Sequence, residues 1–547
     1  MHLFYRHKKK TNSIKNIINQ NFKIMKGHPK GLIAAALSNM GERFGYYIMN
    51  AVLVLFLCSK FGLSNSVATG IYSAFYCGIY ILSLVGGIIA DRTQNYKKTI
   101  QSGLLVMACG YIILAIPILA TAGNINWLLP LTCFALLMIA FGNGLFKGNL
   151  QAIVGQMYDN FEAEAAKHGP EALAEAKSKR DPGFQIFYMF INVGGLIAPF
   201  VAPLLRSWWL GVNGMAYNAD LPALCHQYIA AGAAMAPEAI AKTSELFASM
   251  NIALPTDTAA AQELCQNYLN VFNTGVHYSF IASVAAMIIS LIIFVASKKK
   301  FPTPAKKAAT ESVQYTAEEK AAMAKELKQR LYALFAVLVI AVFFWWSFHQ
   351  NGTSMSLFAR DFVNTSLFPP EVWQAVNPFF VCLLTFPIMW LFSTKWGRKF
   401  STPRKIAIGM GIAAIAYLFM TVFCNTHGYP SAADFTDPKI TSATDAAAMK
   451  AGAWVLIVYY FFMTVAELFI SPLGLSFVSK VAPKNLLGLC QGLWLGATAV
   501  GNGLLWIGPL MYTKFPIWIC WSVFMGVCLL SMIVMLCMVK WLERVTQ

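Results

Sequence analysis

The sequence predicts an all-α integral membrane protein with twelve spanning helices arranged as two groups of six. Hydrophobic residues make up 57% of its 547 residues and charged residues only 12%, with a mean hydropathy of +0.56. That composition is far from a soluble globular domain. Twelve apolar runs are long enough to cross about 30 Å of hydrocarbon. A polar, lysine-rich stretch after the sixth run divides the chain into equal halves.

In order, the runs fall near residues 31–58, 66–90, 98–121, 126–153, 183–205 and 276–297, then 329–350, 371–394, 405–424, 452–479, 487–512 and 516–540. The expected organisation is a basic tail (1–30), a first six-helix bundle (31–297) with a polar, Ala-rich helical insert (208–275), a linker (298–328), a second bundle (329–540) and a short tail (541–547). The linker opens with Lys298, Lys299 and Lys300 and restarts at Thr316 with Glu319 as a capping box. Two short basic turns echo each other: GGIIADRTQNYKK (86–98) after the second run, and STKWGRKFSTPRK (393–405) after the eighth. Such correspondence is what a duplicated six-helix unit shows.

A formal charge of +18 suggests nucleic acid only until its position is read. With the basic tail placed inside, one side of the membrane carries 33 Lys and Arg and the other seven. This is the positive-inside pattern, with both termini cytoplasmic. Residues 1–41 contain no acid and lack the apolar core of a cleavable signal peptide. Ten of the twelve cysteines sit in or beside apolar runs. Cys225 and Cys265 lie in the polar insert, where a disulfide or two free thiols are both open. No HExxH, GxSxG or P-loop is present, which argues against a metal site, an enzyme and an ATP-driven pump.

In a helix, Asn39, Glu42, Arg43, Tyr46 and Tyr47 form one polar stripe along an otherwise apolar first span. Lys147, Asn192, His349, Asn377 and Glu467 place further polar groups in later spans. Ionisable residues inside a membrane helix face the bundle interior and mark a substrate or ion path by default. Lys147 can also snorkel to the inner surface, and the asparagines can serve as interhelical glue.

Through the turn Gly86, Gly87, Ala90, Asp91, Arg92 the sequence resembles the major facilitator superfamily. Through GERFGYY (41–47), FGNGLFKGNLQAIVGQMY (141–158), FYMFINVGGLIAP (187–199) and ELFISPLGLSFVSKVAP (467–483) it resembles the proton-coupled oligopeptide transporters. The resemblance implies two six-helix bundles around a central cavity, alternating access, and import of di- and tripeptides driven by protons, with no cofactor beyond the proton gradient. Carried over residue by residue, Arg43, Tyr46, Tyr47 and Tyr80 line the cavity. Lys147 sits near the peptide carboxylate, Asn192 and Asn377 hydrogen-bond its backbone, Glu467 receives its amino group, and Trp494 forms an aromatic wall.

The sequence departs from that family twice. Asn39 stands where the first acid of an ExxER motif is usual, and His349 where the seventh helix commonly carries Asp or Glu before a Gln. Histidine changes protonation near neutral pH, so proton coupling is expected to rest on Glu42, His349 and Glu467. Losing the first acid is also expected to leave Arg43 and Lys147 less neutralised, which keeps a non-peptide, anionic substrate or an uncoupled mechanism open. A membrane nutrient sensor or membrane enzyme is the rival of a different class. A monomer in a bacterial cytoplasmic membrane is expected, with small peptides, protons and the bilayer as partners and no nucleic acid.

Overall fold

A computed structural model describes residues 27–546, apart from 64, 122, 219, 304–316, 365–372, 374, 396, 437–447 and 484–485. The basic tail through Lys26, the capping box that starts at Thr316, and Lys439 lie outside the described residues. Among the described residues twelve helices are long and apolar enough to cross a membrane. They are α1 (Leu32–Phe61), α2 (Asn65–Thr93), α3 (Tyr96–Ala115), α4 (Ile125–Ala166), α5 (Arg180–Val212) and α6 (Thr258–Ala296), followed by α7 (Ala317–Phe348), α8 (Val376–Ser393), α9 (Thr402–Thr426), α10 (Trp454–Val481), α11 (Leu487–Gly503) and α12 (Ile517–Thr546). Among the described residues the sole β pairing is an isolated bridge between Val363 and Ala451.

Within the first half α1 packs on α5 and α6, and α4 on α2 and α3. Within the second half α9 packs on α10 and α12, and α7 on α11 and α12. The halves meet where α2 touches α11 and where α5 touches α8 and α10. Lipid gives helices no hydrophobic reason to associate, so close approach and interhelical hydrogen bonds have to do it. On α1 the small residues Ser38, Gly41 and Gly45 face α6: the Ser290 hydroxyl donates to the Ser38 carbonyl (2.6 Å), and the Ser283 hydroxyl to the Gly45 carbonyl (2.8 Å). Gly144 on α4 leaves room for α2, since a Cβ there would lie 2.4 Å from the Leu82 carbonyl oxygen. Large apolar side chains such as Leu105, Phe134, Leu137, Ile292 and Leu530 point outward on the perimeter, as a lipid-facing belt requires.

The two echoing turns serve the same local purpose. The side chain of Asn95 accepts from the Lys98 amide at the start of α3, and that of Ser401 from the Arg404 amide at the start of α9. Both turns lie at the end of the bundle where α1 begins and α12 stops, here called the terminal end. At the opposite end the insert forms a cap of two short helices, Leu221–Ala231 and Pro237–Ala248. It runs directly into α6, which begins at Thr258, well before its apolar stretch, because Asp257 caps it through the Ala260 amide. The cap is fastened by Arg206, whose guanidinium lies 3.7 Å over the Tyr217 ring. The thiols of Cys225 and Cys265, both fully buried, are in hydrogen-bond contact.

Helix α7 is interrupted after Phe348 by a tight turn, His349–Gly352, and a short helix, Ser354–Phe362, follows. Gln350 secures the break, its side-chain oxygen accepting from Ser354 (2.7 Å) and Thr353 (2.9 Å). Asn351 accepts from the Tyr459 hydroxyl at 2.8 Å. His349 therefore sits on a fixed helix break.

Replacing Gly144 with valine should separate α2 from α4. The expected cost is about 1–3 kcal/mol, the usual range for overpacking, read as a lower midpoint in thermal unfolding of the purified protein in detergent.

Candidate functional site

The polar stripe of α1 folds back on itself. Arg43 donates through Nε and Nη2 to both oxygens of its neighbour Glu42, at 2.6 and 2.7 Å, and the amide of Asn143 on α4 donates to Glu42 at 2.6 Å. Both charged groups are buried. A bidentate pair with a third donor satisfies the carboxylate where water cannot. Of the two cations expected to be less neutralised, Arg43 is paired by Glu42 even though Asn39 carries no charge, whereas Lys147 has no ion pair among the described residues. Asn39 itself is buried on the same helix.

Aromatic rings build the wall beside this pair. The Arg43 guanidinium lies 4.7 Å over the Tyr46 ring, Tyr46 meets Tyr47 edge to face at 5.3 Å, and Tyr47 lies beside both Arg43 and Glu467. On α2, Tyr72, Tyr76 and Tyr80 follow at one-turn spacing, Tyr72 stacked on Tyr76 at 6.0 Å and Tyr76 edge to face with Tyr80 at 5.3 Å. Lys147 lies one turn beyond Asn143 on α4, half-buried, its ammonium 5.2 Å over the Tyr80 ring. It forms no ion pair among the described residues. His349, on the opposite half, stacks on Trp345 at 5.1 Å and is within electrostatic reach of Lys147. With Nδ1 donating to the Trp345 carbonyl at 3.1 Å, its Nε2 keeps a free lone pair.

The second half contributes an acid held only by neutral donors. Glu467 on α10 accepts from the Tyr188 hydroxyl of α5 at 2.5 Å and from the Asn377 amide of α8 at 2.7 Å, with no cation paired to it among the described residues. Asn377 also donates to Thr464 at 3.0 Å. Asn192 lies one turn beyond Tyr188 and donates to that residue's carbonyl at 3.2 Å. The first half thus contributes Arg43, Tyr46, Tyr47, Tyr80, Lys147 and Asn192, and the second half Asn377 and Glu467. Trp494 is buried on α11 and packs against α10. Its ring covers Gly474 so closely that a Cβ there would lie 2.1 Å from Cη2, which makes it the α10–α11 spacer.

Two polar locks hold the halves together at the terminal end. Asp91 of α2 accepts from the Gly488 and Leu489 amides (3.0 and 2.7 Å), so an acid from one half caps the first turn of α11 in the other. Asp181, in the first turn of α5, accepts from Ser476 (2.6 Å), Lys480 (2.7 Å) and Thr402 (2.9 Å), with Lys405 at 3.7 Å. Arg180 beside it binds Asp159 and Glu162 in its own half (2.5 and 2.8 Å) and reaches the Ser479 hydroxyl across the interface at 3.2 Å. Gly87 lets α2 and α11 touch there, since a Cβ would lie 2.6 Å from the Gly488 carbonyl. One turn further along α11, Gly492 still approaches α2, where a Cβ would lie 3.0 Å from the Ser83 carbonyl oxygen.

A membrane bundle of two locked halves around a polar centre is an architecture with known relatives. The model of the POT family matches residues 97–317 and 304–520. The chain belongs to the POT family. It is 28% identical over 501 residues to the peptide transporter YePEPT of Yersinia enterocolitica, covering 87% of this chain and 86% of the relative. It is 26% identical to dipeptide and tripeptide permease A of Klebsiella pneumoniae, covering 84% and 79%. The fold is similar to that of a crystal structure of a peptide transporter POT in complex with sulfate, at 21% identity, TM-score 0.54 and coverage of 95% and 96%. It is also similar to that of a POT family transporter in complex with 5-aminolevulinic acid, at 18% identity, TM-score 0.55 and coverage of 96% and 98%. This POT family member is a multi-pass membrane protein of the major facilitator type.

Sequence reasoning passed over Asn143, Tyr188, Asp181 and Lys480. Asn143 and Tyr188 stand four residues before Lys147 and Asn192 within motifs already singled out, so helical spacing alone placed them on the same faces. The Asp181 lock had no such signal, because its partners come from α9 and α10, more than two hundred residues away.

Replacing Glu42 with glutamine would leave Arg43 buried without its counter-ion. The expected loss is about 3 kcal/mol, as for other broken buried pairs, seen as a lower unfolding temperature than that of the parent protein.

Proposed function

We propose that this POT family member imports di- and tripeptides across a bacterial cytoplasmic membrane by proton symport, alternating access to the centre from either side. The observation that carries this reading is the pair of unmatched opposite charges at the centre. Among the described residues Lys147 has no carboxylate paired to it and Glu467 no cation, and they stand on opposite halves. A zwitterionic peptide supplies a carboxylate for Lys147 and an ammonium for Glu467, and bridging the halves couples binding to closure. Asn192 and Asn377 offer both donor and acceptor atoms, so they suit a peptide backbone whatever its side chains. The tyrosine walls favour an organic ligand over a bare inorganic ion.

With both termini in the cytoplasm, the Asp91 and Asp181 locks close the cytoplasmic side, and the structure then corresponds to the state that loads from outside. Proton coupling in this reading uses Glu467, His349 and the Glu42 group. His349 holds an imidazole opposite Lys147 where relatives in the family carry an acid, so its protonation and the charge of Lys147 oppose each other directly. Relatives named as peptide transporters support the substrate class. The free ammonium of Lys147 also favours a smaller carboxylate-bearing amino compound as a second reading, in line with the family structure solved with 5-aminolevulinic acid.

In proteoliposomes, Lys147→Ala and Glu467→Gln should each lower dipeptide uptake by about 10- to 100-fold, the equivalent of one charge-assisted hydrogen bond. Loss of uptake for peptides but not for mono-carboxylates would select the second reading. His349→Gln should abolish the dependence of uptake on an inward pH gradient while leaving exchange at equal pH intact; undiminished pH drive would show that another group couples the proton. The Cys225 and Cys265 thiols, already in contact within the external cap, are proposed to close to a disulfide outside the cytoplasm. Peptide mapping of protein purified without reductant should recover them cross-linked, whereas two alkylated thiols would refute this.

A further inference from the structure

A stretch of α5 between the central acid and the Asp181 lock has no part in binding. Positions 181, 185 and 188 fall within a stripe of about 60° on the helix. Both ends of that stripe touch α10, Asp181 through Ser476 and Lys480 and Tyr188 through Glu467. Gln185 lies between them, 0% exposed, and neither its side-chain nitrogen nor its oxygen has a hydrogen-bond partner among the described residues. Ser471, one turn along α10 from Glu467, is equally buried; it faces the Tyr188 hydroxyl without a bond of regular geometry. Orphaned buried polar atoms cost about 1–3 kcal/mol each, and inside a membrane bundle such groups mark an ion or proton path. At the far end of the stripe, Asp181 lines a cleft of about 1050 Å³ that opens at the terminal end, together with Lys179, Thr402 and Lys405.

We propose that Gln185 and Ser471 carry the inward half of the proton route, holding a water-linked chain from Glu467 through Tyr188 to Asp181 and the cleft. This rests on the proton-driven reading above. As a carboxylate, Glu467 accepts from Tyr188. Once it takes up a proton, its own O–H donates to the phenol oxygen, and the phenol hydrogen turns toward Ser471. In release, Glu467 gives its proton to Tyr188 as the phenol passes its own hydrogen on, and one proton reaches the Asp181 carboxylate and then the water of the cleft. Nothing is oxidised or reduced, and Glu467 returns to its carboxylate form. The charged and titratable groups facing the route are Arg180, Asp181 and Tyr188 on α5, Glu467 and Lys480 on α10, Lys405 on α9, and Tyr47, which lies beside Glu467 on α1. Gln185 is a positioning residue, with an oxygen that accepts and an amide that donates.

The test compares accumulation of Ala-Ala driven by a pH step with Ala-Ala counterflow at equal pH, using the full-length protein in liposomes. Gln185→Leu and Ser471→Ala should lower pH-driven accumulation by about tenfold while counterflow stays within about twofold, a split that separates the proton step from binding and conformational exchange. Gln185→Asn, which keeps both polar atoms, should restore most of the drive. Unchanged accumulation in both variants would overturn the proposal, as would an equal fall in both assays, which marks a purely structural role. A parent protein that exchanges Ala-Ala but gains nothing from the pH step would overturn the proton-driven reading itself, and this route with it.

Discussion

The bundle depends on how it keeps ionised groups where the surrounding medium offers no hydrogen bonds. The Glu42–Arg43 fork shows the solution at its simplest: two opposite charges on adjacent residues of one helix, with the amide of Asn143 supplying a third bond from α4. Because the fork is self-contained, α1 can carry charge into the centre without a counter-ion from the other half. The remaining centre is then free to be unbalanced. Among the described residues Lys147 and Glu467 form no ion pair, Lys147 lying over the Tyr80 ring and Glu467 accepting from Tyr188 and Asn377, and an unbalanced centre is what gives a dipolar ligand something to complete.

The same economy governs the terminal end. Asp91 is stabilised by backbone amides at the start of α11, whereas Asp181 is stabilised by side chains from α9 and α10. Both arrangements use one acid from the first half and donors from the second, so separating the halves removes those donors at once and leaves Asp91 the Tyr96 hydroxyl of its own half. Such locks have two discrete states, made or broken, which suits a protein that must alternate between two shapes. The glycines at 87, 488 and 492 permit the approach of α2 and α11.

Much of the site was readable before the fold was known, for definite reasons. Glu42 and Arg43 announced themselves because charge in an apolar run is costly and therefore meaningful. Lys147, Asn192 and Glu467 stood out for the same reason. Their partners were harder to see: tyrosine and serine are unremarkable in an apolar helix, so Tyr188 and Ser471 acquire meaning only beside Glu467. The expectation that Arg43 is left less neutralised counted charges along the chain, whereas the fork formed by Glu42 removes Arg43 from the balance and leaves Lys147 as the cation of the first half without an ion pair among the described residues. Trp494, an aromatic wall by resemblance, lies against Gly474 because α10 and α11 need a spacer there.

By itself the sequence determined twelve spans, their division into two sixes, and the positions at which polarity enters the bilayer, because span length and burial cost are local properties read one helix at a time. Only the tertiary structure decided which charges neutralise one another, where the halves lock, and that the break in α7 fixes His349 opposite Lys147. Those outcomes depend on helices brought together from opposite ends of the chain, and hydrogen-bond geometry between them leaves no periodic trace in either strand of sequence.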